Sequence, residues 1–294
     1  MPHHPPPSPA RCARSSQPNV MTDRAIPNVV TIAGVDPSGG AGVLADIKTF
    51  SALGAYGCAV IAALTAQNTQ AVTGVQAVPP EFVALQIDTL WQDVRIDGVK
   101  IGMLGTAPVI RTVVDAMTRW RPAHLVLDPV MVAKGGDALL AREAVGMLRE
   151  ALVPLATVLT PNLPEAGVLL ECRAPESVKE MTRAAERLRG LLPDAPPRWV
   201  LLKGGHLPGN ELTDLLFDGD TMIELRAARV DTRNTHGTGC TLSSAICALL
   251  PQRSSVPDAV REAKAYLIKA LSAAAVLKVG SGIGPVHHFH HWWR

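Results

Sequence analysis

The 294-residue sequence has few aromatic residues, no strong excess of either charge and no long apolar run. Aromatic residues make up 4% of the chain, whereas hydrophobic residues make up 47%. A core of Ala, Val and Leu suits parallel strands covered by helices, because small and branched side chains pack well between layers. A net charge of +2 without blocks of like charge argues against nucleic acid and an anionic membrane as partners. We therefore expect a small-molecule ligand.

The cysteines number five, an odd set with no C-x-x-C spacing. A disulfide framework would need an even set in a small secreted chain, so we expect reduced thiols and a cytoplasmic protein. The most apolar stretch, at 58–66, is too short to cross a membrane and contains Thr65. Residues 1–27 are rich in Pro, Ser and Arg and lack the apolar region of a secretory signal. We expect them to be a disordered extension or a mis-assigned start, with an organelle transit peptide as the alternative, and a single domain over 28–294.

Strand-like and helix-like segments alternate from Asn28 onward. Strands are predicted at 29–33, 58–64, 99–101, 125–127, 157–159 and 199–202, with an edge hairpin of 213–217 and 222–225. Helices are predicted at 42–53, 80–94, 108–120, about 137–152, 175–192, and from Thr238 and about Val256. The apolar faces expected for the first two contain Leu44, Ile47, Phe50 and Leu53, and Phe82, Leu85, Leu90 and Trp91. This alternation predicts an α/β fold with a doubly wound, mostly parallel sheet flanked by helices.

Polar residues follow the predicted strands where each strand ends. In open α/β sheets, ligands bind beyond the carboxyl ends of the strands. The residues delivered to this edge are Asp36, Gln67, Met103, Asp128, Asn162 and Lys203.

A Gly237-Thr238-Gly239 turn leads directly into an apolar helix. Backbone N–H groups at a helix start form an anion site, and glycines let a phosphate approach closely. Hydroxyl groups of Thr235, Thr238 and Thr241 could add donors. The Walker pattern is absent, so a P-loop is excluded. An ordinary glycine turn is the alternative. Cys240 lies in the first helical turn, where the helix dipole is expected to lower its pKa, although a small buried thiol is the alternative.

Asn162 and Glu165 lie three residues apart at a predicted helix start. This pair could face one Mg²⁺ through water, but the same spacing produces a capping box, which the spacing alone favours. Asp128 ends a strand and could hold the metal or its water shell. Lys203, at another strand end, suits phosphate oxygens, with simple solvation as the alternative.

The segment 34–42 contains several glycines, but their separations do not fit the dinucleotide fingerprint G-x-G-x-x-G. A Gly-rich floor with Asp36 and Gln67 at its edge suits a flat heterocycle. The Gln67 amide can accept from an exocyclic amine and donate to a ring nitrogen of an aminopyrimidine. The histidines of the segment 287–291 are expected to pack on the body or remain solvated rather than to bind a transition metal.

Several motifs together resemble the hydroxymethylpyrimidine/phosphomethylpyrimidine kinase family of thiamine biosynthesis. They are AGVDPSGGAG at 33–42, AQNT at 66–69, KIGML at 100–104, TPNLPEA at 160–166, KGGH at 203–206, NTHGTGC at 234–240 and the ending after GIGP at 282–285. The resemblance covers about 28–294. It implies a ribokinase-like fold, with ATP and Mg²⁺ as cofactors. It also implies two successive phosphorylations, first of 4-amino-5-hydroxymethyl-2-methylpyrimidine and then of its monophosphate.

The resemblance also assigns roles to residues. Gln67 should bind the pyrimidine edge, and the residues that line or support its pocket should be Gly34, Asp36, Ala41, Asp46, Thr65, Met103 and Val130. The Mg-ATP site should contain Asn162 and Glu165 with Asp128, while Lys203 and the loop Gly237, Thr238 and Gly239 should face phosphate. Cys240 stands where many ribokinase-like relatives carry a catalytic Asp, and should orient or deprotonate the hydroxymethyl group. Thr65 stands where an aliphatic residue is common. The segment 133–137 is expected to form a lid, and relatives are often homodimers.

Three other functions are alternatives. A pyridoxal kinase of the same fold would phosphorylate a ring that also bears a hydroxymethyl group, and specificity constants would distinguish it. A nicotinamide-dependent oxidoreductase would need the missing dinucleotide fingerprint and would be stabilised by NAD. A non-catalytic nucleotide-binding regulator would bind ATP without releasing ADP when the pyrimidine is added.

Overall fold

The computed structural model describes residues 1, 25–131, 140–141 and 143–293. Within these ranges, one sheet of nine strands has the order β3-β2-β1-β4-β5-β6-β7-β8-β9. The strands are β1 (Asn28–Val35), β2 (Tyr56–Gln67), β3 (Val72–Ala77), β4 (Gly98–Ile101), β5 (Leu125–Leu127), β6 (Val158–Leu159), β7 (Trp199–Leu202), β8 (Glu211–Phe217) and β9 (Met222–Ala228). Strands β2, β1, β4, β5, β6 and β7 pair in parallel in that order, and β3, β8 and β9 add antiparallel edges.

Helices cover both faces of this sheet. They are α1 (Gly42–Ala52), α2 (Pro80–Asp93), α3 (Ala107–Trp120), α4 (Ala144–Met147), α5 (Leu163–Leu169), α6 (Val178–Arg189), α7 (Thr238–Leu249) and α8 (Val256–Ser272). One core lies between the sheet and α2 to α6 and includes the fully buried Ile32 and Ile101. The other lies between the sheet and α1, α7 and α8, with Val29 and Phe50. The inner six positions of β1 are all buried, as a strand covered on both faces requires.

The chain reverses its direction of travel across the sheet at β1, which pairs with β2 on one side and β4 on the other. A ligand crevice is expected at such a switch point, beyond the carboxyl ends of the strands. Gly34 and Met103 meet there, since the Gly34 N–H donates to the Met103 carbonyl over 3.0 Å. The predicted doubly wound, mostly parallel α/β fold is confirmed, and so is the edge hairpin.

Several predicted details of the helices are wrong. The helix predicted at about 137–152 begins at Ala144 within the described residues and continues as a π-helical turn, Leu148–Leu152. Its first residues, and the proposed lid at 133–137, lie outside the described residues. In α2, Phe82 and Leu85 are 52% and 57% exposed, and Val83 and Ile87 fill the core instead. Leu44 of α1 is likewise exposed. These helices are turned relative to the predicted apolar stripes because tertiary packing decided which face is buried.

Candidate active site

The phosphate loop, defined as His236 to Cys240, leads into α7. Gly237 is the N-cap residue with a φ of +76°, and no side-chain hydrogen bond caps the helix in the described part of the chain. The first N–H groups of a helix have no partner within the helix and point outward at its positive end. The start of α7 therefore has the backbone geometry that an anion site requires, although a glycine turn alone would produce the same backbone.

Close approach to a second loop explains the glycines. A Cβ at Gly237 would lie 1.7 Å from the Gly40 carbonyl oxygen, and a Cβ at Gly40 would lie 2.2 Å from the His236 ring. These distances are far below van der Waals contact, so a side chain at Gly237 requires movement of the backbone and one at Gly40 requires movement of the His236 ring. The phosphate loop and the Gly-rich loop after β1, defined as 36–42, are thus interlocked.

Asp36 and His236 join the two loops. The Asp36 carboxylate lies 2.7 Å from His236 Nε2 and accepts from the N–H groups of Ser38 and Ala41. Burial would raise the pKa of Asp36, but the hydrogen bonds from His236 and Ser38 lower it below its usual value. Asp36 therefore organises the Gly-rich loop in this structure, with only 3% of its surface exposed. Sequence reasoning did not single out His236, although it directly precedes the Gly-Thr-Gly turn.

A buried ion pair lies beside the phosphate loop. Lys203 Nζ donates to Asp128 Oδ1 over 3.0 Å, and Ser243 of α7 donates to Asp128 Oδ2 over 3.3 Å. A Cβ at Gly239 would lie 3.4 Å from Lys203 Nζ. Burial tends to lower the pKa of Lys203, but Asp128 and Glu165 raise it above its usual value, so the ammonium stays charged. A fixed positive charge therefore lies next to the uncapped helix start.

Asn162 and Glu165 form a capping box at the start of α5. Asn162 Oδ1 accepts from the Glu165 N–H over 2.9 Å, and Glu165 Oε2 accepts from the Asn162 N–H over 2.7 Å. The alternative that the spacing favoured is thus confirmed. Burial raises the pKa of Glu165 to about 7, and nearby Asp128 adds to the increase while Lys203 opposes it. The box holds this carboxyl group within electrostatic range of the Lys203–Asp128 pair.

These acidic and amide oxygens fit a hard cation. Two carboxylates, Asp128 and Glu165, lie close enough to raise the pKa of one of them, and a cation would relieve that repulsion. No group of three or more His, Cys, Asp or Glu residues in the described ranges could hold a metal ion by itself. Mg²⁺ suits such a partial site, since it usually keeps several waters and takes further oxygens from substrate phosphates. The donor set therefore fits magnesium rather than a transition metal.

Cys240 is a free, partly exposed cysteine in the first turn of α7. Burial of the thiol, together with Asp46 and Asp128, raises its pKa to about 11, while Lys100 and a hydrogen bond from the Gly42 N–H oppose the increase. The expectation of a pKa lowered by the helix dipole is wrong, because desolvation outweighs the dipole. At neutral pH the side chain is a thiol that can donate or accept a weak hydrogen bond.

The side of the site that is predicted to hold the ring, called the ring side, consists of neutral residues around β1, β2 and β4. A Cβ at Gly34 would lie 2.5 Å from Met103 Sδ, so Met103 packs directly on the Gly34 backbone. The Thr65 hydroxyl lies 2.9 Å from the Val35 carbonyl oxygen and 3.1 Å from Gln67 Oε1. This contact fixes the Gln67 side chain at the end of β2, where it is half-buried. The structure thereby connects Gly34, Met103, Thr65 and Gln67 around the carboxyl ends of three strands.

Ala41, Val130 and Asp46, which were also predicted to line or support the pocket, lie in different parts of the structure. Ala41 lies in the Gly-rich loop, and half-buried Val130 donates its N–H to the Asp128 carbonyl over 2.8 Å. Asp46 has no exposed surface and accepts hydrogen bonds from Thr31, Lys100 and Ser244. Asp46 therefore does not line a surface that a ring could reach, and its contribution is to support the site from below.

The C-terminal segment packs on the body beside the phosphate loop. The His236 N–H donates to the Gly284 carbonyl, and the His288 ring lies 3.1 Å from the Thr241 hydroxyl. His287 and His288 are 3% and 5% exposed, as the predicted packing of this segment requires. Burial lowers the pKa of His288 to about 3, so this ring is neutral. Among the described helices, none is long and apolar enough to span a bilayer.

Comparison with known proteins identifies relatives over most of the chain. The sequence profile of the phosphomethylpyrimidine kinase family matches residues 36–287. A hydroxymethylpyrimidine/phosphomethylpyrimidine kinase of Escherichia coli strain K12 is 50% identical over 266 residues, which are 90% of this chain and 98% of the relative.

Solved structures of kinases share the fold. A phosphomethylpyrimidine kinase from Clostridium difficile 630 superposes with a TM-score of 0.73 and 38% identity, covering 83% of this chain and 99% of the other. A pyridoxal kinase from Staphylococcus aureus in complex with ADP superposes with a TM-score of 0.83 and 33% identity, covering 92% and 96%.

Proposed function

Because the chain belongs to the phosphomethylpyrimidine kinase family, we propose that it transfers phosphate from ATP to 4-amino-5-hydroxymethyl-2-methylpyrimidine and then to the resulting monophosphate. Membership makes the chain a kinase of the hydroxymethylpyrimidine/phosphomethylpyrimidine type with a ribokinase-like fold. The observation that carries the proposal is the uncapped start of α7, with Gly239 packed against the buried Lys203–Asp128 pair. This combination provides directed N–H groups and a fixed cation for a transferring phosphate.

The residues of the phosphate side would act by positioning and charge. Phosphoryl transfer depends mainly on these effects, because little covalent work falls to the protein. The N–H groups of Thr238, Gly239 and Cys240 would bind the oxygens on which negative charge builds up, and Lys203 would contribute its ammonium. The Cys240 thiol would hydrogen-bond to the hydroxymethyl oxygen and orient it. With a pKa of about 11, the thiol is better suited to orientation than to removing the proton.

Magnesium would be held by Asp128 and Glu165 with the Asn162 side chain, largely through water, and by the nucleotide phosphates. When bound, Mg²⁺ supplies charge neutralisation between adjacent phosphates. The chain's own part is to hold the Asn162 and Glu165 oxygens in place through the capping box, while Lys203 opposes the effect of burial and favours the ionised form of Glu165.

The pyrimidine would bind on the ring side. Gln67 would exchange hydrogen bonds with the amino group and an adjacent ring nitrogen, because an amide carries both an acceptor and donors. Thr65 would hold the Gln67 carbonyl oxygen, and Gly34 with Met103 would contact the ring face. Val130 and Ala41 would complete the pocket, and Asp36 would shape its floor through the Gly-rich loop.

Pyridoxal phosphorylation is the second candidate, and one observation supports it: the Staphylococcus aureus pyridoxal kinase shares the fold with a TM-score of 0.83. Its identity of 33% is well below the 50% of the Escherichia coli relative, which favours the pyrimidine.

Release of ADP in the presence of each acceptor tests the proposal. Purified protein would be assayed with Mg-ATP and the pyrimidine alcohol, its monophosphate or pyridoxal. We expect kcat/KM for both pyrimidines to exceed that for pyridoxal. A higher value for pyridoxal, or ATP binding without ADP release, would reject the pyrimidine assignment.

We further propose that the enzyme is a homodimer that works in the cytoplasm. Exposed apolar side chains on β2, β3 and α2 support self-association, and they are Tyr56, Leu64, Val75, Phe82 and Leu85. The four cysteines that the structure describes are free thiols, as a reducing compartment favours. Light scattering of the purified protein would measure its mass in solution directly.

A further inference from the structure

A lysine and an aspartate lie completely buried beneath the phosphate loop. Lys100 Nζ donates to Asp46 Oδ2 over 2.8 Å, and neither side chain has exposed surface. The ammonium packs under the backbone, since a Cβ at Gly102 would lie 2.8 Å from Lys100 Nζ. Burial of two charges is costly and is not needed for stability, since apolar residues often serve as well. The pair therefore calls for a functional explanation.

The Asp46 carboxylate connects the elements that form both sides of the site. It lies on α1, directly after the Gly-rich loop, and accepts from Thr31 of β1 over 2.6 Å and from Ser244 of α7 over 2.6 Å. Lys100, which lies on β4, also donates to this carboxylate, and the chain after β4 leads to Met103 on the ring side. One carboxylate thus ties the middle of α7, the helix that the phosphate loop leads into, to α1, β1 and β4.

The Lys100 ammonium also faces the reacting end of α7. It is within electrostatic range of Cys240 and Asp128 as well as Asp46. Four charged groups act on the Cys240 thiol, namely Lys100, Asp46, Asp128 and Lys203. Each lysine is paired with one carboxylate, Lys100 with Asp46 and Lys203 with Asp128, so positive charge lies near the phosphate loop at two points.

From this geometry we propose that Lys100 is a positioning residue for phosphoryl transfer, which acts through Asp46 and through its charge on the phosphate loop and Cys240. The proposal rests on the proposed kinase function and deepens it. Lys100 does not touch substrate, because it has no exposed surface. Its loss should therefore affect the rate of transfer more than the binding of nucleotide.

Lys100→Met removes the charge and keeps an unbranched side chain. We expect kcat to fall at least about thirtyfold while the KM for Mg-ATP stays within about threefold.

Alkylation of Cys240 by iodoacetamide at pH 8, followed by peptide mass spectrometry, should slow at least about fivefold because less thiolate is present. The exposed Cys172 on the same protein should react at an unchanged rate and serves as the internal reference.

Lys100→Met leaves Asp46 as a lone buried carboxylate and can lower stability, so the double variant Asp46→Asn with Lys100→Met is needed. It removes both charges and keeps an amide, whose oxygen can accept from one of the Thr31 and Ser244 hydroxyls and whose NH2 can donate to the other. We expect its Tm to recover towards that of the unmodified protein and its kcat to remain at least about tenfold low. A folded double variant with kcat within about threefold of the unmodified protein would overturn the proposal.

Arg189→Met is the matched control. Arg189 is a buried cation at the end of α6, and its guanidinium donates to the carbonyl groups of Leu192 and Asp218. We expect this variant to lose stability with no change in kcat or in Cys240 alkylation. If Lys100→Met behaves in the same way, its role is structural and the proposal fails. If the unmodified protein does not phosphorylate the pyrimidine, the kinase proposal fails instead, and the alkylation ratio alone decides the role of Lys100.

Discussion

The two sides of the candidate site are held in different ways. On the phosphate side, Asp128, Lys203 and Glu165 are charged or titratable, nearly enclosed, and tied by several hydrogen bonds to three separate elements. On the ring side, Thr65 and Gln67 are neutral, half-buried and joined by one side-chain hydrogen bond. The charged residues are thus held in place by the protein itself, whereas the neutral residues keep hydrogen-bond donors available for a ligand.

Under the proposed function, this difference separates the residues that stabilise charge during transfer from those that select the acceptor. Charge stabilisation works best when the donors are already in place, since no reorganisation is then required during the reaction. Ring recognition depends on a few neutral contacts, which single substitutions can change. We therefore expect changes on the phosphate side to reduce turnover of every acceptor, and changes on the ring side to alter the choice between acceptors.

The largest effect should follow from Gly237→Ala. The added Cβ would lie 1.7 Å from the Gly40 carbonyl oxygen, and the φ of +76° is unfavourable for alanine. Displacement of the phosphate loop should lower kcat/KM at least about a thousandfold for all acceptors. Gly146→Ala is the control, because nothing lies within 4 Å of its added Cβ. Steady-state kinetics and Tm should show the loss for the first variant only, and near-normal turnover of Gly237→Ala would show that the interlocked loops are not needed.

The next effect should follow from Cys240→Ala, and it should differ between acceptors. We expect kcat for the pyrimidine alcohol to fall about a hundredfold, because its hydroxyl loses an orienting partner. The loss for the monophosphate should be less than about tenfold, because its acceptor oxygen is already ionised. Cys240→Ser keeps a hydrogen-bonding group and should retain more activity with the alcohol. Unchanged turnover of both acceptors in Cys240→Ala would remove the thiol from the mechanism.

A smaller effect should appear in how the KM for Mg-ATP depends on pH. Because burial raises the pKa of Glu165 to about 7, protonation should compete with the cation, and the KM for Mg-ATP should rise about tenfold between pH 8 and pH 6. Glu165→Gln should abolish this dependence. A KM that changes equally in both proteins would contradict the assigned role.

Glu165 should also affect stability, but with the opposite dependence on pH. Its folded pKa lies above the unfolded value, so its contribution to stability is present at low pH and is lost as the pH rises through about 7. The Tm of the unmodified protein should therefore fall relative to that of Glu165→Gln between pH 5 and pH 8.

The smallest effect should follow from Gln67→Leu on the ring side. Loss of the amide should lower kcat/KM for both pyrimidines about fivefold, since its two neutral hydrogen bonds, at about 0.5 kcal/mol each, are together worth about 1 kcal/mol. Activity with pyridoxal, if measurable, should change less, so the ratio between acceptors should shift. Gln76→Leu, an exposed position on β3, is the matched control. An equal loss for all acceptors would place Gln67 outside ring recognition.

The sequence was informative wherever local chemistry decides the structure. Glycines at 237 and 239 before an apolar helix predicted the phosphate loop, and apolar strands ending in Asp128 and Lys203 predicted where those side chains would lie. The fold class followed from the alternation of strands and helices.

The remaining features depend on contacts between distant segments. Asp36 and His236 are 200 residues apart, and Asp46 meets Ser244 across 198 residues, so no local pattern shows either pair. The pKa of Cys240 follows its burial by surrounding elements rather than the helix dipole. Lys100 occurs within a recognised motif, yet only the packing of β4 under the phosphate loop shows that its charge is enclosed.

The central claim is that one site transfers phosphate to both the alcohol and the monophosphate. A time course started with the pyrimidine alcohol and excess Mg-ATP, followed by phosphorus NMR, tests it most directly. We predict that the monophosphate signal rises first and then declines as a diphosphate forms in the same tube, with Cys240→Ala delaying the first phase more than the second. A reaction that stops at the monophosphate, or that leaves the alcohol unchanged while pyridoxal is phosphorylated, would contradict the account.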